Sequence, residues 1–425
     1  MESRRPRTAE RACTERLARV TNPPVLAPKP ARSFEVAKVA VAVTFAANGL
    51  AFGSWASRTP SIKSALDLDA SQLGLLLLCL SVGSLTALPL SGAVVQRIGP
   101  AATVIVSVAA ESAGLLMAAW GVSTGQATLC GAGLMLTGFG VGMWDVAMNV
   151  EGAVVERKLG RNVMSRFHAA WSLGSVAGAG AGAVCAAIGM GVATQLVITA
   201  VVTAVLAVAG TRRYLPFEPE PSSGHGYREG AAQLGRQWRD SRTLRIGGMV
   251  LGFAFVEGVA NDWLAVAVVT GLGISEAIGA VAFGVFVAAM TVGRLVGASA
   301  LDRWGRLRVL RASVLLVASG LLLVAIGSGL PAVLAGSLIW GFGAALGFPT
   351  GISAAADDPA TAAIGVSVVT SIGYTAFLAG PPLVGFLGDA VGIRPALLVV
   401  LGALALVLVT HTAARPLVAV DAGKR

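Results

Sequence analysis

Residues 244–268 read LRIGGMVLGFAFVEGVANDWLAVAV. As a helix this stretch is long enough to cross a bilayer, whose hydrocarbon core of about 30 Å takes roughly 20 apolar residues. It carries an acid, Glu257, near its middle, with Asn261 one turn on and Asp262 beside it. An ionisable group at that depth is expensive, and it faces a cavity or a partner. Eleven more apolar stretches of similar length occur, at 36–57, 70–92, 101–121, 128–150, 167–190, 193–211, 277–299, 309–329, 331–353, 364–388 and 394–413. In chain order these are spans 1 to 12, with 244–268 as span 7. The expected fold is an all-α membrane protein of twelve transmembrane helices.

The composition agrees. Of 425 residues, 55% are hydrophobic and 13% charged, with a mean hydropathy of +0.76. A soluble domain carries about 25% charged residues. The net charge of +10 would suit a nucleic-acid partner, but its distribution argues against one. Of 32 Lys and Arg, 27 fall on segments that share one side of the spans: the N-terminal tail, the even-numbered loops, the central loop and the C-terminus. Only Arg58, Lys63 and Arg394 fall in the opposite loops; Lys38 and Arg294 lie within spans, near their inner ends, and Arg245 and Arg311, counted among the 27, sit at the inner edges of spans 7 and 9. The positive-inside rule then puts both termini in the cytoplasm, in a cell (inner or plasma) membrane.

Residues 1–35 are polar, basic and Pro-containing, and too long for a signal n-region. A disordered cytoplasmic tail is expected, with attraction to anionic lipid as the second reading. Cys13, Cys79, Cys130 and Cys185 are isolated and have no metal or redox spacing. No cofactor or metal is expected.

The chain repeats itself. Residues 212–243 interrupt the spans with Pro216, Pro219, Pro221 and a Ser-Ser-Gly-His-Gly run, and are expected to form a cytoplasmic linker with a surface helix near 228–242. Asn48-Gly49 matches Glu257-Gly258, Leu73-Gly74 matches Ile278-Gly279, and Arg97-Ile-Gly99 matches Arg303-Trp-Gly305. Gly138-Phe-Gly140 matches Gly341-Phe-Gly343, and Leu173-Gly174 matches Ile372-Gly373. The offsets are 209, 205, 206, 203 and 199 residues, in order along the chain. The expected domains are a six-helix bundle over 36–211, a second over 244–413, and a cytoplasmic tail over 414–425. Two such parallel halves define a fold that rocks about a central site.

These motifs resemble the major facilitator superfamily, from about 36 to 413. Asp302-Arg303-Trp-Gly305-Arg306 after span 8 is similar to its cytoplasmic gating motif. The first-half copy, Gln96-Arg97-Ile-Gly99-Pro100, lacks the acid and the following base. A narrower resemblance is to the fucose-permease-like branch, including rhizopine-associated membrane proteins. It rests on Trp144-Asp145-Val-Ala-Met-Asn149, His168-Ala-Ala-Trp-Ser-Leu-Gly174, Glu257-Gly-Val-Ala-Asn-Asp-Trp263, Gly293-Arg294-Leu and Gly380-Pro381-Pro382. That branch often has an aspartate in span 1, where this chain has Asn48.

The candidate site residues follow from depth and spacing. Asp145 and Asn149 are four apart on one face of span 4. The resemblance links the acid to proton and substrate coupling, and a hydrogen bond to His168 or Arg166 is the structural alternative. Glu257 is the second candidate for protonation or substrate contact, and an interhelical pair is its alternative. Asn48, its repeat mate, together with Asn149 and Asn261, are candidates for recognition. Trp55 and Trp263 suit either stacking on a sugar ring or an interface belt. Asp262 suits an outer gate or cap, and Arg58 suits attraction of anions or a solvated helix end. Glu111, on peripheral span 3, suits a bond to a neighbouring helix.

Two motifs mislead. Gly178-Ala-Gly180-Ala-Gly182 has no preceding strand, so it is close-packing spacing and no dinucleotide loop. Gly380-Pro381-Pro382 predicts a kink in span 11. No Walker loop or catalytic constellation occurs. The chain reads as a secondary active transporter, no enzyme, functioning as a monomer and taking a small solute, with protons as the coupling ion and a sugar or cyclitol as substrate. An antiport exporter whose cavity is lined by Phe45, Phe52, Phe253, Phe255 and Met148, and a non-transporting receptor on the same shell, are the alternatives.

Overall fold

The computed structural model describes residues 31–161, 163–217, 234–358 and 361–417. Residues 1–30 of the basic tail and 228–233 of the expected linker helix lie outside the described residues; of the rest of that helix, 234–237 are helical before span 7 begins at Ser241. Among those described there is no strand, and eleven helices are long and apolar enough to cross a membrane.

One of the eleven, Ala70–Ser123, runs for 54 residues. At about 1.5 Å per residue it would be far too long for one crossing. At Gly99 the backbone takes φ 81 and ψ 162, and the chain folds back. Only glycine tolerates that region, and Pro100 then starts the next helix where a missing N–H costs nothing. Spans 2 and 3 are therefore two crossings, and the total is twelve. Gly305, 206 residues on, takes φ 75 and ψ 158 between span 8 (Glu276–Trp304) and span 9 (Arg306–Ile326). The glycine of the gating motif thus serves one purpose in both halves: a turn no side chain permits.

The other spans are Ala31–Ala56, Ala127–Leu159, Met164–Ala187, Val192–Thr211, Ser241–Leu272 and Ala362–Val391. Span 10 is split into Gly329–Ala344 and Gly347–Ala355, and span 12 runs from Ile393 to Ala414 through short α and 3-10 segments. A small helix, Thr59–Ala65, follows span 1. Span 4 extends past its apolar stretch to Arg157 and Lys158, cations that suit a helix C-terminus. The split in span 10 falls one turn before Pro349, whose ring clashes with the carbonyl four residues back. Span 11, by contrast, runs unbroken through Pro381 and Pro382.

Packing repeats as the sequence does. A Cβ on Gly138 would meet the Leu80 carbonyl at 2.0 Å, and one on Gly341 would meet that of Phe286 at 2.2 Å. Span 4 thus lies on span 2 by backbone contact, as span 10 lies on span 8. Without a hydrophobic drive between lipid-bathed helices, such close approach supplies the packing energy.

The first and last described residues, near 31 and 417, and those flanking the central linker, near 217 and 234, share one face of the bundle, called here the terminal face. Span 2 packs along span 11, and span 5 along span 8, joining the halves. Every cross-half hydrogen bond between described residues lies at the opposite face: Ala70 and Ser71 N–H donate to Asp389, and Ser61 donates to Glu276. Deeper in, Phe52 meets Phe283 edge-on at 6.4 Å. Toward the terminal face, the ion pairs between described residues each stay within one half.

Candidate functional site

Below the closed face, spans 1, 4 and 5 confront spans 7, 8 and 11. On span 4, Asn149 Nδ2 donates to the Asp145 carbonyl at 2.8 Å and to Asp145 Oδ1 at 3.2 Å. No cation pairs with Asp145 among the described residues, and neither His168 nor Arg166 bonds to it. From the other half, Tyr374 of span 11 lies within electrostatic reach of Asp145.

On span 7, Glu257 meets Arg294 of span 8: Arg294 Nη2 lies 3.1 and 3.2 Å from the two carboxylate oxygens. The side chains keep 16% and 30% exposure respectively, so the pair can be reached from the cleft. The Arg294 Nε and Nη1 groups make no hydrogen bond among the described residues. Across the cleft, His168 of span 5 is exposed and within electrostatic reach of Arg294. Sequence reasoning did not count Arg294 as a site residue. Its signal was there, because a cation inside a span costs as much as an acid.

Asn48 is buried, accepts from Trp171 Nε1 at 2.8 Å, and leaves its own Nδ2 without a partner among the described residues. Trp171 stacks on Phe52 at 5.5 Å, forming an aromatic shelf against Phe283. Trp171 was also missed, although it sits inside the His168–Gly174 motif. Trp55 and Trp263 lie buried in the packed core, and the Trp263 indole N–H has no partner. Asn261 Oδ1 is buried and unpartnered, and Asp262 makes no hydrogen bond or ion pair among the described residues.

Arg58 spends its donors on the carbonyls of Met190 (2.8 Å) and Gly182 (3.5 Å), fastening the span 5–6 hairpin. Burial holds its guanidinium below the ordinary arginine value, against the opposing pull of Glu276. Glu111 is fully buried between spans 3 and 6, taking hydrogen bonds from Ser112 (3.1 Å) and Thr203 (3.3 Å).

At the terminal face the gating motif divides. Arg306 binds both oxygens of Asp357 at 2.8 Å and Ser353 at 3.0 Å, and Arg242 joins the same carboxylate at 2.8 Å. Arg303 lies over the Trp304 ring at 5.9 Å. Asp302 and Arg97 make no hydrogen bond among the described residues. In the first half Pro100 stands where Arg306 would, and the buried Glu151 accepts, among the described residues, only the Leu215 N–H, at 2.8 Å.

Two pseudo-symmetric helix bundles around a cleft holding buried charge are the build of a solute carrier. The Major Facilitator Superfamily model matches residues 40–268 and 246–423. An uncharacterised MFS-type transporter of Yersinia pestis is 32% identical over 88% of this chain and 94% of its own length. An uncharacterised transporter of Sinorhizobium fredii, y4wD, is 33% identical over 83% and 92%. Membrane protein MosC of Rhizobium meliloti is 26% identical over 85% and 86%. Among solved structures, nucleoside transporter NupG superposes with TM-score 0.70 at 16% identity, over 89% of this chain and 98% of that one. The fucose:proton symporter of E. coli superposes with TM-score 0.61 at 15% identity, over 90% and 99%. The chain belongs to the Major Facilitator Superfamily, and it is a multi-pass membrane transporter of small molecules rather than an enzyme.

Proposed function

We propose that this protein is a proton-coupled carrier of a small polar solute, a sugar, cyclitol or close derivative. It works as a monomer by alternating access in the cell membrane, with the terminal face in the cytoplasm. The observation that carries this reading is Asp145, an intramembrane acid in the cleft with one neutral side chain, Asn149, as its hydrogen-bond partner. No cation among the described residues competes for its charge, so it can exchange a proton with whichever water column reaches it.

Glu257 plays a different part. Arg294 neutralises it, and the pair offers a ring hydroxyl both an acceptor and free N–H donors. The Trp171–Phe52 shelf suits the apolar face of such a ring. The bundles over 36–211 and 244–413 then rock about this cleft, with Arg97, Gly99, Asp302, Arg303, Gly305 and Arg306 at the turns that hold the terminal face. Two of the structures that superpose on it, a nucleoside transporter and a fucose:proton symporter, carry polar solutes, which favours the same class.

The exporter reading needs an aromatic and thioether lining. Phe45, Met148, Phe253 and Phe255 are all buried, and among those five residues Phe52 alone is partly open. This weakens it.

The test is transport by purified protein in vesicles, after thermal-shift screening of sugars, cyclitols and hydrophobic cations at two pH values. A binder at 100 times its Kd should stabilise by about 2.7 kcal/mol. Uptake of a polyol driven by a pH gradient, lost on Asp145→Asn, is the expected result. Stabilisation by hydrophobic cations alone would overturn the substrate class, and uptake indifferent to the gradient would overturn the coupling.

A further inference from the structure

The closed face is held by unequal contacts. Span 2 begins at Ala70, and its own N-cap, Asp69, satisfies the Gln72 N–H at 2.7 Å in a capping box. The Ala70 and Ser71 N–H groups are left over, as at any helix start. Both are taken by Asp389 at the end of span 11, in the other half, at 2.8 and 3.0 Å. A carboxylate accepting from a helix N-terminus gains from both the hydrogen bonds and the helix dipole.

The approach that allows this is made by glycine. A Cβ on Gly74 would lie 2.6 Å from the Pro381 carbonyl, and one on Gly385 would lie 2.6 Å from that of Ala70. Beside the contact, a cavity of about 540 Å³ lined by Lys63, Asp69, Asp389 and Arg394 gives water access. Water can therefore take over the two N–H groups when the halves part, and the contact is reversible. The lock has no twin. Counting back the 199 residues that relate Gly373 to Gly174, the first-half counterpart of Asp389 is Met190, which has no carboxylate.

We infer that Asp389 is a positioning residue of the transport cycle: by capping span 2 across the interface it sets the balance between the closed and open states of this face. The inference rests on alternating access alone, and not on the proton coupling or the substrate proposed above.

Thiol labelling in detergent tests it without reference to membrane orientation. In a background with the four native cysteines replaced by alanine, Ala179→Cys reports the closed side, since Ala179 is buried against span 8. His168→Cys reports the exposed side of the cleft. Asp389→Ala should speed labelling at 179 by roughly tenfold, the low end for charge-assisted hydrogen bonds that water can replace. Labelling at 168 should hold level or fall. If 179 is unchanged, Asp389 does not hold the face; if both sites speed up, the substitution has merely loosened the fold, and either result overturns the inference. Gly385→Ala, which drives a methyl into the Ala70 carbonyl, should shift the two sites in the same directions and guards against misfolding of the first variant. Labelling needs no substrate, so it stays informative even if the proton-coupled sugar reading fails.

Discussion

The two halves share a backbone but treat their buried acids differently. In the C-terminal half, Glu257 is met by Arg294, and Asp357 by Arg306 and Arg242. In the N-terminal half, Asp145 is met by an asparagine amide, Glu151 by a backbone N–H, and Glu111 by two hydroxyls. Two acids of the C-terminal half depart from this: Glu276 takes the Ser61 hydroxyl, and Asp262 makes no hydrogen bond or ion pair among the described residues. The turns at Gly99 and Gly305 match in φ and ψ, so the contrast lies in side chains laid over one scaffold. One half holds its charge in ion pairs, which must break before they can respond. The other keeps its intramembrane acids bonded to neutral groups, its ion pairs being those of the exposed Glu35 side chain with Lys38 and Arg161, and the intramembrane acids can gain or lose a proton without abandoning a cation.

The N-terminal half replaces the missing ionic latch with a strap. After span 6, Tyr214 shares a 2.6 Å hydrogen bond with Thr44, Leu215 binds Glu151, and Phe217 lies on Gly99. Burial pushes the Tyr214 phenol above its ordinary value, so it stays a neutral hydrogen-bonding group.

The contrast can be broken most severely at Glu257. Glu257→Gln leaves Arg294 unpaired and should destabilise the protein by about 3 kcal/mol, seen as a lower Tm in detergent. Adding Arg294→Met should recover most of that loss; no recovery would mean the two do not act as a pair. Next comes Asp145→Asn, the N-half test. Proton-driven uptake should fall on the order of 100-fold, about 2.7 kcal/mol in barrier height, while counterflow, which needs no net proton movement, persists.

Asp357→Ala frees two arginines at a partly solvated site and should cost about 2 kcal/mol. Denaturant unfolding reads it. Gly99→Ala and Gly305→Ala both place a Cβ where the backbone forbids it, at about 1–3 kcal/mol each. Gly99→Ala should be worse, because its Cβ would also lie 2.8 Å from the Phe217 ring, and equal melting points would show that the strap is not seated there. Smallest should be Glu151→Gln, which keeps an acceptor for Leu215 and should stay below about 1 kcal/mol. A loss as large as that of Asp357→Ala would erase the contrast.

Depth was legible from the sequence, and azimuth was not. The apolar stretches located the crossings, and the glycine pairs located the repeat, because backbone contact and forbidden φ leave no substitute. Asp145 and Glu257 stood out because acids in lipid are costly. Yet these spans are apolar nearly all round, so nothing in the pattern says which way a side chain faces. Trp55 and Trp263 share a depth suited to a solute, but they point into the core. Arg58 sits at the mouth yet bonds inward to carbonyls. Pairings such as Arg294 with Glu257 or Arg242 with Asp357 depend on neighbours 37 and 115 residues away, which spacing along one helix cannot predict.

The glycine contact between spans 2 and 11 bears on turnover. A carrier must make and unmake its closed face in every cycle. An interface of leucines or lysines would freeze rotamers at each closure, at about 0.5–1.5 kcal/mol per immobilised side chain. Gly74 and Gly385 have no rotamers to freeze. The face they form can therefore seal tightly with little entropy lost, and reopen without a deep well to climb from.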